Sequence, residues 1–455
     1  FGELMELDTI ELGVTATSAL MRKLHLDPRQ VDSVVWSGVV LPPLSVNIGR
    51  EIVLDLGLPT SVEATTVTRA CTSSMSAITI AASMIERGDA DVIIAGGSDS
   101  TSNAPIAFPT KVTRTLAPLA LSGKATPQDI LGALSQLIPL SEVLPRQPRV
   151  AERTTGEVMG ESAERMAQRN EISRQAQDEF ALRSHKRAAR AIATGRFDDE
   201  TTKVQTPKGF VHVDSLVRAD TSLEKLSKLK PVFAKNGTIT AGSSSALTDG
   251  AAAVVLMRES KARSLGYAPL AAFRSWSYVA VDPADQLLLG PAIAVPKALD
   301  RAGMTLADMD IVDMHEAFAA QVLSVLKMLG SRAFARERLG RDEAVGDIDP
   351  DKLNVYGGSI AIGHPFAATG ARIVTTLANE LHRTDKKTAL IGICAAGGLG
   401  AAAVLEKVLT GLDLGLGFGL RAPGLEREIE PGARSRKPDA EFAAEISDDG
   451  AALAE

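Results

Sequence analysis

Short apolar runs alternate along the chain with longer stretches in which Ala, Leu and small residues recur at helical spacing. That alternation predicts an α/β fold with largely buried strands. Two strands are clearest, Ala90–Gly97 (ADVIIAGG) and Thr388–Gly398 (TALIGICAAGG), and both run into glycine-rich turns. Each follows a predicted helix, Ser73–Arg87 in the first case and Ala368–Arg383 in the second. A second pair repeats in the same order: Met21–Trp36 and Leu299–Met314 share a helix end, a turn and an apolar strand in register. Two recurrences in one order predict two related α/β halves.

The repeat also exposes an asymmetry. A strand-like segment, Leu270–Val281, precedes the helix that ends near Arg301, whereas the first half begins almost directly in its matching helix, Ile10–Leu24. The expectation is a first half without its first strand, and with that strand's place in the middle of the sheet. The halves are expected over 1–104 with 196–258, and over 259–409, with an inserted loop region at 105–195. Within Pro105–Pro148 the segment Pro127–Ile138 puts Ile130, Leu131, Leu134, Leu137 and Ile138 on one helical face. Gly160–Gly195 reads as a charged, solvent-facing helical segment. From 410 to 455 the composition shifts: Gly411–Glu455 holds ten Asp/Glu against five Lys/Arg, which carries −5 of the whole-chain −7 and predicts a disordered acidic tail.

Composition narrows the function classes. The 455 residues are 45% hydrophobic, enough for large cores. Two Cys exclude a disulfide scaffold and a Cys-rich metal module, and six scattered His without a His-x-x-x-His pair predict no metal site. With 4% aromatic residues and an acidic balance, a nucleic-acid groove is not expected. No apolar run reaches the roughly 18–20 residues of a membrane span. The chain opens at Phe1, so targeting is not legible from it.

Candidate chemistry falls at strand ends and helix starts. Cys71, in Thr68-Arg69-Ala70-Cys71-Thr72-Ser73-Ser74, precedes a small-residue helix, whose N-terminus would favour a thiolate and lower the pKa. Cys394 sits at a glycine-rich turn, Gly392-Ile393-Cys394-Ala395-Ala396-Gly397-Gly398. His364 lies between Gly363 and Pro365 at a helix start, and His315-Glu316-Ala317-Phe318 follows a strand, where α/β sheets open onto ligand crevices. Taken singly, each has a plainer reading: a thiol filling the core, a glycine turn, a loop imidazole, a polar loop pair. Together they occupy matching places in the two halves, so a pseudo-twofold would bring thiol and imidazole to one centre, the minimum for nucleophilic catalysis by sulfur.

These residues resemble the thiolase family over essentially the whole chain to about residue 408. Cys71, Gly363-His364-Pro365 and Cys394 with its turn match the family's three signature regions in order and spacing. The form His315-Glu316-Ala317-Phe318, with Asp220–Phe233, Asp282–Gly290 and Gly357–Gly370, looks most like one branch, the 3-ketoacyl-CoA thiolase (β) subunit of multienzyme fatty-acid β-oxidation complexes. The resemblance implies a layered α-β-α-β-α fold and thiolytic cleavage of medium- or long-chain 3-ketoacyl-CoA. Cys71 would be nucleophile, His364 its base and Cys394 the acid and base at the acetyl carbon. His315 would hold a water in an oxyanion site, and the backbone N–H groups of Cys71 and Ala396 would form a second. It further implies that Met159, Ser245 and Phe318 line the substrate arm, with Arg218 near the adenine end of CoA.

By the same resemblance CoA is a substrate and no bound cofactor is expected. Self-association is expected, and a hydratase–dehydrogenase subunit or a membrane surface is a candidate partner for the Pro127–Ile138 face. Two reduced thiols suggest a reducing, cytoplasmic compartment. The chain departs from the common family pattern in His315, where Asn is frequent, and in Thr72-Ser73-Ser74 after the nucleophile. Biosynthetic acetoacetyl-CoA formation and a non-catalytic lipid-binding role are the alternatives.

Overall fold

A computed structural model describes residues 2–139, 143–144 and 151–408. The expected acidic tail and residues 140–142 and 145–148 of the Pro105–Pro148 segment lie outside the described residues. The first half runs α1 (Thr9–Leu24), β1 (Ser33–Ser37), α2 (Ile48–Asp55), β2 (Glu63–Val67), α3 (Ser73–Arg87) and β3 (Val92–Ser100). Next come α4 (Thr110–Ser122), α5 (Pro127–Gln136), α6 (Met159–Arg169), α7 (Arg174–Ala193), a hairpin of β4 (Val204–Thr206) and β5 (Gly209–Val211), α8 (Leu223–Ser227), β6 (Asp249–Met257) and α9 (Glu259–Ser264). The remainder runs β7 (Ala271–Ala280), α10 (Gly290–Ala302), β8 (Ile311–Met314), α11 (Ala319–Leu329), α12 (Arg332–Phe334), α13 (Ser359–Ile362), α14 (Thr369–Arg383), β9 (Thr388–Ala395) and β10 (Leu399–Lys407).

Two four-stranded sheets form, β2-β1-β3-β6 and β7-β10-β9-β8. Superposing their orders pairs β1 with β8, β3 with β9 and β6 with β10. A parallel bridge, Val312 to Leu353, takes the place of β2 beside β8. The strands are buried because they read as apolar runs: every residue of β1, β3 and β9 is buried. Helices cover both sides of each sheet, as parallel pairs require. On the outer face of the first sheet, Ile48, Ile52 and Val53 of α2 pack on Val34, Trp36 and Ile94. On the outer face of the second, Val295 and Leu299 of α10 and Val322 and Val325 of α11 join Val312, Leu390 and Val404. Between the sheets lie α3 and α14, whose Met75, Ile78, Ile373 and Leu377 share one core with Val35, Ile93, Ile391 and Ala403. This is the expected α-β-α-β-α layering.

The two middle helices approach closely because their contact carries little side chain. A Cβ on Gly370 would stand 2.8 Å from the backbone nitrogen of Met75, and Ser74 Oγ accepts a 2.8 Å hydrogen bond from the Ala371 N–H. Serines at 73, 74 and 76 are buried here, which a helix of bulkier residues would not allow.

Three expectations need correction. The strand without a counterpart, β7, is an edge strand antiparallel to β10, not a mid-sheet one. The matching place in the first sheet is therefore the outer edge of β6, which pairs only with β3 and borders a cavity of about 1250 Å³ lined by α1, β6, the start of β7 and α14. Strand order in space is not fixed by order in sequence, which is why the reading went astray. Second, the Gly160–Gly195 helical segment is not solvent-facing throughout. It breaks at Asn170, and Ala163, Met166, Ala167, Phe180 and Ala181 join the core of the second half. Its charges are handled locally: buried Glu164 accepts hydrogen bonds from the Thr238 and Ile239 N–H groups at 2.8–2.9 Å. Third, the Pro127–Ile138 face is split, with Leu137 buried and Ile130, Leu131, Leu134 and Ile138 exposed. No helix among the described residues is long and apolar enough to cross a membrane.

Candidate active site

Cys71 sits between β2 and α3, on a turn where Ala70 adopts a left-handed φ of 46°. The Arg69 N–H donates to Ser73 Oγ at 2.7 Å, and Ser73 Oγ donates back to the Ala70 carbonyl at 2.6 Å, so the helix start clamps the turn. His364 occupies the equivalent turn of the second half. Its N–H donates to the Ala246 carbonyl at 2.9 Å, and Gly363 before it has φ 94° where Thr248 leaves no room for a Cβ. His315 follows β8, and its N–H donates to the Gly392 carbonyl at 2.8 Å. Cys394 lies on β9 just before a turn in which Gly397 and Gly398 have φ 79° and 69°.

Cys71, His315 and His364 come from three distant segments of the chain and meet between the halves. One ligand-type atom each from Cys71, His315 and His364 lie within 4.8 Å of one another. The two imidazole rings are 4.3 Å apart between centroids and tilted by 48°. Cys394 is wholly buried, and the charge of Cys71 acts on it directly.

Each imidazole is held by one nitrogen. Nδ1 of His364 is 2.6 Å from Thr369 Oγ1, and Nδ1 of His315 is 3.1 Å from Ser359 Oγ. The opposite nitrogens, both Nε2, are buried with no hydrogen-bond partner among the described residues. Beneath them, Glu316 is buried and accepts from Ser184 Oγ at 2.6 Å, from Asn354 Nδ2 at 2.7 Å and from the Ile360 N–H at 3.2 Å. That set fixes the peptide carrying His315. Asp99 does similar work from the first half: it accepts from the Val39, Val40 and Ala367 N–H groups, and burial pushes its carboxyl up to about 6.

The electrostatics differ from the sequence reading for Cys71. Burial pushes its thiol up to about 12, against hydrogen bonds from the Ala396 N–H and its own N–H that favour the thiolate. The helix start is thus outweighed by loss of water. Cys394 is raised well above the ordinary thiol value by burial and then by the nearby Cys71. Burial, then the charge of Arg372, holds His364 down to about 3, and His315 is likewise lowered by burial and by His364. The resting site therefore contains neutral thiols and neutral imidazoles.

The expected substrate-arm residues separate into two groups. Ser245 and Phe318 border the cluster: the Ser245 N–H donates to the Ala317 carbonyl at 3.0 Å, and Phe318 is buried edge-on to Phe233 at 5.8 Å. Met159 begins α6 and packs on the same core. Arg218 is exposed, and its backbone N–H donates to His185 Nδ1 at 3.2 Å. The large cavity beside β6 is lined by none of these, nor by the four clustered residues. Thr369, Ser359, Glu316, Asn354 and Asp99 were not singled out as a set by the sequence. Glu316, Ser359 and Thr369 do lie inside the quoted motifs, which was the available signal.

An α/β duplication with thiols and imidazoles gathered at its junction suits a thiol-dependent enzyme, and similarity to known proteins makes the class specific. Residues 1–260 match the thiolase N-terminal domain and residues 267–407 the thiolase C-terminal domain, so the chain belongs to the thiolase family. It is 48% identical over 400 residues to the 3-ketoacyl-CoA thiolase of Colwellia psychrerythraea, covering 87% of this chain and 91% of that one. It is 46% identical over 401 residues to the 3-ketoacyl-CoA thiolase of Aeromonas salmonicida, again covering 87% and 91%. Among solved structures, Bacillus anthracis acetyl-CoA acetyltransferase superposes with a TM-score of 0.76 at 32% identity, covering 90% of this chain and 95% of that one. Human mitochondrial 3-ketoacyl-CoA thiolase gives 0.74 at 30% identity with the same coverage.

Proposed function

We propose that this chain cleaves 3-ketoacyl-CoA with CoA, giving acetyl-CoA and an acyl-CoA shortened by two carbons, as a step of fatty-acid β-oxidation. The observation that carries the reading is the meeting of Cys71, His315 and His364 within 4.8 Å, with Cys394 buried beside Cys71.

The neutral resting pair sets the order of events. Cys71 attacks the 3-keto carbon as its proton passes to Nε2 of His364, so no free thiolate has to exist in the dry site. Burial, which opposes the ion pair at rest, strengthens every hydrogen bond to charge that develops later. The bond between the second and third carbons then breaks, and its electron pair goes to the acetyl-CoA enolate. The Cys394 thiol protonates that carbanion, which releases acetyl-CoA and leaves Cys394 as thiolate. CoA gives its thiol proton to Cys394 and attacks the Cys71 thioester. Collapse expels the Cys71 sulfur, which recovers its proton from His364. The second half exchanges the Cys71 thioester for a CoA thioester of similar energy.

The N–H groups of Ala396 and Cys71, already directed at the Cys71 sulfur, support an oxyanion site at the acyl carbon. His364 and a water held by His315 serve the enolate oxygen. Met159, Ser245 and Phe318 would line the pantetheine and acyl arm, and the exposed Arg218 suits the adenine end. CoA is a substrate and no resident cofactor is invoked. The exposed Ile130, Leu131, Leu134 and Ile138 of the α5 segment suit a hydratase–dehydrogenase subunit or a membrane surface, beside twofold self-association. Two thiols that must stay reduced suit a reducing, cytoplasmic compartment.

The test is thiolysis measured on 3-ketoacyl-CoA of four to sixteen carbons, with Cys71→Ala alongside. We expect faster cleavage of medium and long chains and an acyl adduct on Cys71 trapped before CoA is added. A chain that neither turns over nor acylates at Cys71 would falsify the reading. The likeness to an acetyl-CoA acetyltransferase at 0.76 favours a second reading, condensation of two acetyl-CoA; a rate confined to the four-carbon substrate would select it.

A further inference from the structure

Sulfur and two imidazole nitrogens facing one another are also the donor set of a zinc centre. Zinc binds Cys at about 2.3 Å and His at about 2.0–2.1 Å in tetrahedral geometry, which puts its ligand atoms roughly 3.3–3.7 Å apart. The donor atoms of Cys71, His315 and His364 lie within 4.8 Å of one another, so side-chain rotations that close about an ångström bring all three onto one ion. No local His-x-x-x-His spacing announces this set; it is assembled from three distant segments of the chain.

A second observation points independently to a ligand. The Nε2 atoms of His315 and His364 are buried, lack any hydrogen-bond partner among the described residues, and belong to residues 0% and 3% exposed. Their Nδ1 atoms are tied to Ser359 and Thr369, which orients the rings as the outer partners of metal-binding histidines do.

We propose that Cys71, His315 and His364 form a binding site for Zn²⁺, and that its occupation reversibly blocks thiolysis. Binding displaces the Cys71 proton to solvent and forms a zinc–thiolate bond, with no change of oxidation state. The bound sulfur is no longer a free nucleophile, and the proton-accepting nitrogen of His364 is occupied. A fourth position stays open to water or to the thiol of CoA. The inhibitory half rests on the proposed role of Cys71; the binding half does not.

The test titrates Zn²⁺ alone into chelator-washed full-length chain, and Co²⁺ in parallel, before any activity is measured. We expect one ion per chain, release of about one proton, protection of Cys71 from alkylation, and a sulfur-to-cobalt charge-transfer band. Cys71→Ser should abolish the band, and Cys71→Ser and His315→Asn should each weaken Zn²⁺ binding by at least about tenfold. Thiolysis lost on adding Zn²⁺ should return with EDTA. Binding unchanged in Cys71→Ser, no cobalt band in the unaltered chain, or zinc binding without inhibition overturns the proposal. If the zinc-free chain shows no thiolysis, the functional reading falls instead, and the cobalt band still decides the metal site.

Discussion

Thr369 holds the Nδ1 side of the His364 ring at 2.6 Å and leaves Nε2 free for the proposed exchange with Cys71. Thr369→Val keeps the shape and removes that partner. We expect kcat to fall about five- to tenfold, the value of one hydrogen bond of about 1–1.4 kcal/mol, with KM nearly unchanged. Equal kcat in the variant would show that packing alone positions the ring. The partly buried Cys71 and the wholly buried Cys394 also leave a mark on stability. Cys71 and Cys394 have folded values raised above 9.0, so the unfolded chain loses thiol protons first as pH rises. Their contribution is complete below pH 9.0 and is lost progressively above it, by up to about 1.4 kcal/mol per pH unit for each thiol. Cys394→Ser should flatten the fall of Tm with pH in that alkaline window; an unchanged slope would mean the thiol is solvated. At this scale the sequence pointed to Cys71, His315 and His364, which the structure brings together, and Cys71 and His364 each sit at a turn where packing does not demand them. It could not show their partners: Ser184 reaches Glu316 across 132 residues, and a lone serine carries no spacing signal.

Between elements, the contact of α3 with α14 ties the nucleophile's turn to the imidazole's turn. Gly370→Ala would place a methyl 2.8 Å from the Met75 nitrogen and 2.9 Å from Ser74 Oγ. Backbone cannot yield there, so we expect a loss of about 1–3 kcal/mol in urea unfolding. Thiolysis should fall further than stability when measured where the variant is fully folded, because the shift separates Cys71 from His364. Retained activity at full folding would show that the helices tolerate sliding. Helices and buried strands were legible from period and composition, and the repeat revealed the halves. The burial of α6 and α7 was not: their charged residues dominate the pattern, and only the internal pairing of Glu164 with backbone N–H groups makes such a segment fit a core.

At the scale of the molecule, the segment around α5 presents Leu131 and Leu134 at 69% and 52% exposure, while Leu137 is inside. Leu131→Asp with Leu134→Asp should leave Tm and thiolysis of the isolated chain unchanged, since exposed substitutions typically shift stability by under about 0.5 kcal/mol. Binding to a hydratase–dehydrogenase subunit or to anionic vesicles, measured by sedimentation, should be lost; persistence would place that contact elsewhere. The two sheets, alike in plan, differ at one margin. β10 has a neighbour on each side, whereas β6 meets β3 on one side and a cavity of about 1250 Å³ on the other. Alternate amides of β6 therefore face solvent-accessible space, while their counterparts in β10 are locked twice over. Where no further strand covers that edge, heavy water should run two clocks: the outward amides of residues 249–257 should take up deuterium long before those of 399–407, and a strand paired there should bring them into step.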